Sequence, residues 1–165
     1  MGSTEPPVCL HASVIQTKKS GKKQMRGLRV SADDARRVRE FWKGLSAIAD
    51  EYCPTVLAFE VYAPYRSQGG SAWKTGRIEG AIQMFGFDRG YAVLPFLPLD
   101  LKKGICGVQN ASKDDVLHAV SERVVGLDKF LQRIHLKLQE HAADAAGHAY
   151  LAFEEMSQMR TLMGM

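Results

Sequence analysis

Cysteine is scarce in this chain: Cys9, Cys53 and Cys106 are an odd number, widely scattered, and form neither a paired framework nor a CxxC metal site. They read as reduced, mostly buried thiols. Long apolar runs are missing too. Nothing approaches the roughly 20 residues that span a bilayer, and the N-terminus lacks the apolar stretch of a secretory signal. A soluble, intracellular protein without membrane association is expected. There is also no internal repeat, low-complexity tract or linker, so residues 1–165 read as a single domain, long enough to bury a substantial core. With 45% hydrophobic and 24% charged residues the composition is that of a globular chain.

Charge is present in modest excess, a formal +4, but it is unevenly placed. Lys18, Lys19, Lys22, Lys23, Arg26 and Arg29 crowd one stretch, and Lys102, Lys103 and Lys113 fall in another. Such patches suit a polyanion, because neutralising phosphates releases condensed counterions. A solvated basic loop is the alternative for the first cluster.

Val8 to Thr17 alternates loosely and carries Val and Ile, which predicts a strand. Lys18 to Lys23, with Gly21, predicts a turn, and Leu28 to Val30 a short returning strand, giving a hairpin with a basic tip. Ser31 with Asp34 has capping-box spacing and predicts a helix to about Tyr52, whose apolar stripe is Val38, Phe41, Trp42, Leu45 and Ile48. Thr55 to Glu60 predicts a strand buried on both faces. Ser71 opens a helix reaching about Asp88, Tyr91 to Phe96 forms another buried strand, and a short helix comes next around Leu99 to Ile105. Ser112 caps a helix from Lys113 to about Val125, and the chain from Leu127 onward is largely helical. Strands alternating with helices in this order predict an α/β domain of three layers, a mixed central sheet flanked by helices.

Two places carry candidate chemistry. Glu60 closes an apolar strand, where desolvation is unfavourable unless a cation or partner stands by; a solvated strand end is the alternative. In Glu140-His-Ala-Ala-Asp-Ala-Ala-Gly-His148, His141 and Asp144 are three apart and share a helix face. The surrounding alanines let that helix approach a sheet closely, and oxygen and imidazole donors there would suit a divalent ion. An Ala-rich amphipathic helix with incidental polar residues is the alternative.

Four segments in order resemble a known family. Val56-Leu-Ala-Phe-Glu60 looks like the RuvC family's strand ending in a catalytic glutamate. Ser71-Ala-Trp-Lys-Thr-Gly76, with Arg77 and Gly80, resembles its SALKLGxxxG helix. Leu101-Lys-Lys-Gly-Ile-Cys-Gly107, with Ala111-Ser-Lys113 and Val116, is similar to its VKxxxxGxGxAxKxxV stretch. His141-Ala-Ala-Asp-Ala145 resembles its terminal motif, which carries Asp or His at the first position. The resemblance covers roughly Ile15 to Phe153 and implies an RNase H-like nuclease domain.

It further implies a crossover junction endodeoxyribonuclease, a homodimer that resolves four-way DNA junctions in recombination and repair by paired, Mg²⁺-dependent nicks. Two ions per site are implied, with Mn²⁺ as a substitute. Glu60 and Asp144 are then metal ligands and His141 a ligand or general base. Lys102, counted among the catalytic residues, and Lys113 bind DNA beside the scissile phosphate and stabilise developing charge. Tyr62 or Tyr65 contacts bases at the crossover, or simply packs. Arg66, Lys74, Arg77 and Lys103 are further DNA-binding candidates. The helices beginning near Ser31 and after Gly70 are candidate dimer elements. A cytoplasmic location, bacterial or phage-encoded, is expected, with an organelle as the other option.

The chain departs from the family at its start. The family opens with a GxDxG strand whose aspartate binds metal, and here Glu5 is the first acidic residue, followed by Pro6-Pro7. Met1-Gly-Ser3 resembles the residues immediately after that aspartate in some relatives, so the chain is expected to begin just inside the motif, a vector-derived Met-Gly-Ser being the competing origin. Two further functions compete: a nuclease for other branched or flapped DNA, and a catalytically inactive junction-binding protein.

Overall fold

The computed structural model describes residues 5–21, 29–61 and 70–163, with backbone alone at 70–74. The elements run α1 (Val30–Tyr52), β1 (Val56–Glu60), α2 (Gly70–Asp88), β2 (Ala92–Phe96), α3 (Pro98–Cys106), α4 (Lys113–Arg123), α5 (Leu127–Leu131) and α6 (Leu136–Leu162). The chain gathers into two compact units, one made of Met1–Val14, Ala58–Val61 and Leu94–Met165, the other of Ile15–Leu57 and Tyr62–Val93.

Local chemistry explains most of the boundaries. The Ser112 hydroxyl accepts the Asp115 N–H at 3.1 Å while the Asp115 carboxylate accepts the Ser112 N–H at 2.8 Å, a reciprocal cap that starts α4 where the sequence predicts. Pro98 opens α3, where a missing N–H is harmless, and Asp100 accepts the Leu97 N–H at 2.7 Å. α1 ends on Cys53, whose φ of 47° is left-handed and whose N–H reaches the Ala49 carbonyl. Pro54 comes next and disfavours a further helical residue at 53.

The hydrogen bonds from Val61 N–H to Phe96 O (2.8 Å) and from Ala92 N–H to Thr55 O (2.9 Å) advance in the same direction along both strands. β1 and β2 are therefore parallel, joined through α2. Phe59 is buried, but Val56, Leu57 and Ala58 are only half-buried, so β1 is less enclosed than its apolar run predicts. Among the described residues each strand has a single neighbour. Pro95, with no N–H to donate, fits such an edge.

Two expectations for the N-terminal part differ from the structure. Val8 makes an isolated parallel bridge to Val125, with Cys9 N–H on the Val125 carbonyl at 2.8 Å, and residues 9–21 have no regular structure. Val30 belongs to α1 rather than to a returning strand, while Leu28 and the tip at Lys22 and Lys23 lie outside the described residues. The reason is visible in the second unit. Asp33 accepts both the hydroxyl and the backbone N–H of Ser20, and Arg36 donates to the Lys18 carbonyl at 2.7 Å. Arg37 donates to Thr17 Oγ1 at 3.1 Å. Side chains of α1 thus bind residues 17–20, at the approach to the expected tip, and hold them against the helix. α1 begins after Arg29 with no side-chain cap, and Ser31, already inside the helix, does not cap it.

In the second unit the Trp42 ring meets Phe85 edge-on at 5.1 Å, and Ile15 packs against Gly44. The core of the first unit is built from Leu101, Ile105, Val116, Val120, Leu127 and Leu131, with Ala142 of α6. Here α6 lies close against α3 and α4. A Cβ at Gly147 would sit 2.5 Å from Leu101 Cδ1 and 3.1 Å from Val120 Cγ2, and one at Gly104 would meet Leu151 at 2.4 Å.

Gly147→Val is therefore expected to overpack this seam and destabilise the fold by about 1–3 kcal/mol, read as a lower urea midpoint at unchanged m-value. Hydrogen bonds from Ser20 and Arg36 hold the Asp33 carboxyl down at about 2. The stability it contributes is complete above the ordinary aspartate range and is lost as pH falls through that range toward 2. Urea midpoints measured from pH 6 to pH 2 should fall more steeply for the wild type than for Asp33→Asn; parallel curves would remove Asp33 from the acid transition.

Candidate active site

Glu60 is the last residue of β1, and its side chain is 46% exposed. α6 presents His141, Asp144 and His148 at spacings of three and four, which stack on one helix face. All four residues belong to the first unit. His148 is 2% exposed. Its ring lies 5.8 Å from that of Phe96 on β2, and its Nε2 is 4.0 Å from Glu60 Oε2. His141 is largely exposed, with Nε2 3.8 Å from Glu140 Oε1.

The electrostatics of the group arise from burial and like charge. Burial pushes the Glu60 carboxyl above its ordinary range, the Asp144 charge adds to that, and His141 opposes it. Asp144 is also raised by burial, with Glu140 in the same sense and His141, Lys113 and Lys102 against. Burial pushes the His148 imidazole down, against a hydrogen bond to the Asp144 backbone and the charge of Asp100. Two carboxylates thus share a half-buried place in which ionisation is disfavoured.

Basic groups stand around them. Lys113 Nζ pairs with Glu140 Oε2 at 2.8 Å, which raises the lysine and lowers the glutamate. Lys102 Nζ donates to the Ala111 carbonyl at 2.6 Å. Both ammonium groups act on Asp144.

The structure therefore brings together Glu60, His141, Asp144, Lys102 and Lys113. Lys103 is exposed on α3. Arg77 belongs to the second unit, 3.9 Å from Asp34. Tyr62, Tyr65 and Arg66 lie outside the described residues, as does the side chain of Lys74. His148 is the residue that sequence reasoning passed over. Its signal was the four-residue step from Asp144, which places the two one helical turn apart.

Among the described residues no three of His, Cys, Asp and Glu are arranged so that they could together hold a metal ion as they stand. The donor set still fits a divalent cation: two half-buried carboxylates whose ionisation is disfavoured, one exposed imidazole, and a buried His148 Nε2 that has no hydrogen-bond partner. Few protein donors and room for water are what Mg²⁺ prefers.

The chain is similar to known proteins. The family model of the crossover junction endodeoxyribonuclease RuvC matches residues 8–150. RuvC of Natranaerobius thermophilus is 27% identical over 104 residues, which are 62% of this chain and 63% of that protein. RuvC of Hydrogenovibrio crunogenus is 29% identical over 115 residues, 70% of this chain and 62% of the relative. The chain spans about half to two thirds of the length of the curated relatives it matches. Among solved structures, Thermus thermophilus RuvC superposes with a TM-score of 0.67 at 22% identity, over 94% of this chain and 85% of that one. The same protein in complex with a Holliday junction substrate gives 0.61 at 21% identity, over 87% and 78%. The fold is accordingly the α/β architecture of the RNase H-like class.

Removing one carboxylate should relieve the other. In Asp144→Asn the Glu60 carboxyl is expected to titrate lower than in the wild type, read in chelator by the NMR shift of its side-chain carboxyl carbon. An unchanged titration would show that the two groups do not sense each other.

Proposed function

The chain belongs to the RuvC family of crossover junction endodeoxyribonucleases, and from that premise we propose that it is a metal-dependent endonuclease that resolves four-way DNA junctions. The observation that carries this reading is the pairing of Glu60 on β1 with Asp144 on α6, both raised by burial, with Lys102 and Lys113 acting on the same carboxylate. A polyanion in need of a cation on one side and of ammonium groups on the other suits such a place.

Glu60, Asp144 and His141 are the residues that would hold Mg²⁺, two ions per site with Mn²⁺ as substitute. When bound, the metal supplies Lewis acidity for phosphodiester hydrolysis. Ionised Glu60 and Asp144 are needed for binding, so their raised carboxyls make metal uptake weaken on acidification. His141, largely exposed, serves either as a metal ligand or, in place of that, as the base that takes the proton of an attacking water. Lys113, 74% exposed, can exchange its Glu140 partner for a phosphate oxygen, and Lys102 lies within electrostatic reach of the same carboxylate. Developing negative charge on the phosphate is stabilised by such donors.

We further assign Lys103, Lys74, Arg66 and Arg77 to backbone contacts along the junction arms and Tyr62 or Tyr65 to base stacking at the crossover. The reading includes a single nuclease domain over residues 1–165, a homodimer formed through α1 and α2, and a cytoplasmic setting like that of bacterial relatives. No helix among the described residues is long and apolar enough to cross a membrane.

A synthetic four-way junction incubated with Mg²⁺ or Mn²⁺ tests the proposal. Paired symmetric nicks are expected, reduced on the order of 100-fold or more in Glu60→Gln and Asp144→Asn. Asymmetric cutting of flaps in preference to junctions would point to a nuclease for other branched DNA. Junction binding without nicking would identify a binding protein, and undiminished nicking by Glu60→Gln would overturn the site.

A further inference from the structure

We propose that His148 is an additional metal donor of the Glu60–Asp144–His141 site, adding a nitrogen that shifts its preference from Mg²⁺ toward Mn²⁺. The proposal rests on the reading of Glu60 and Asp144 as metal ligands and adds a residue that this reading does not use.

Three observations converge on it. First, His148 is 2% exposed and its Nε2 has no hydrogen-bond partner. A buried polar atom left unpaired is unfavourable, and in a folded protein it calls for a physical reason. Second, that nitrogen stands 4.0 Å from Glu60 Oε2. The separation is too long for a hydrogen bond, so the nearest carboxylate oxygen leaves the nitrogen unsatisfied. Third, the ring hydrogen-bonds with the backbone of Asp144, and because Nε2 is unpartnered the donor is Nδ1. This bond fixes the tautomer with its lone pair on Nε2, facing Glu60. An imidazole that gives its far N–H to a backbone carbonyl has the orientation typical of a metal-binding histidine.

A packing role accounts for less. The Phe96 ring and the neighbouring Gly147 seam would be served by an aliphatic side chain, which would leave no orphaned nitrogen. The consequence for ion choice comes from donor type. Carboxylate oxygens alone suit Mg²⁺, whereas an imidazole strengthens binding of transition-series ions and adds little for Mg²⁺.

The test uses Mn²⁺ bound to this chain and pulsed EPR, which detects directly coordinated ¹⁴N. His141→Asp removes the other candidate nitrogen while retaining a possible oxygen donor. In that variant a ¹⁴N coupling is expected, and it should vanish in His141→Asp combined with His148→Leu or His148→Gln. Mn²⁺ affinity should fall on the order of tenfold with the loss of His148, with Mg²⁺ affinity little changed. Mn²⁺ bound to His141→Asp without any ¹⁴N coupling overturns the proposal whether or not the His148 variants fold, and leaves the carboxylate site standing. Mn²⁺ binding that is unaffected by Glu60→Gln together with Asp144→Asn overturns the underlying site instead.

Discussion

The close approach of α6 to α3 and α4 at Gly147 is the constraint on which the rest of the first unit depends. A side chain there would run into Leu101 and Val120, and the buried alanines 142, 143 and 152 keep the same helix thin along its inner face. Packing of this kind fixes both the depth and the rotation of a helix, because interiors are too dense to absorb a shift. With α6 seated at Gly147, its neighbour His148 is turned inward onto Phe96, and Asp144 and His141 lie on the turns before it. Glu60 is reached by that face rather than by any local feature of β1.

Three acidic residues show how environment divides one chemistry into two uses. Asp33 is as buried as His148, yet Ser20 and Arg36 satisfy its oxygens and hold its carboxyl low. It is a fastener that ties residues 17–20 to α1. Asp144 and Glu60 are only half-buried, but burial and mutual charge push them up. The folded chain thus keeps two carboxylates where ionisation is opposed, a local departure from optimal stability of the kind found at functional sites. The nearby lysines are partnered by Glu140 and a backbone carbonyl.

Much of the fold was legible because its signals are local. Ser112 with Asp115, Pro98 and Cys53-Pro54 mark helix ends through bonds that span three or four residues, and the structure sets those ends within a residue or two of where the sequence predicts them. The failures share one cause. Val8 to Thr17 has the residues of a strand, but a strand needs a partner, and here Val8 and Cys9 meet Val125 in an isolated bridge while Arg37 takes the Thr17 hydroxyl. Ser31 has capping chemistry, yet the helix begins one residue earlier, at Val30, and places it within the first turn. Propensity proposed and tertiary partners disposed.

The candidate site divides in the same way. The sequence by itself determined that Glu60 closes a strand and that His141 and Asp144 lie on one helix face, since both depend on short-range periodicity, and the ordered motifs named the family. Only the tertiary structure decided that these residues meet, that Lys102 and Lys113 act on the same carboxylate, and that His148 is buried with a bare nitrogen facing Glu60. β1 and α6 are far apart in the chain; Gly147 seats α6 against Leu101 and Val120, and His148 then meets Phe96 of β2 and Glu60 of β1, contacts that no local pattern encodes.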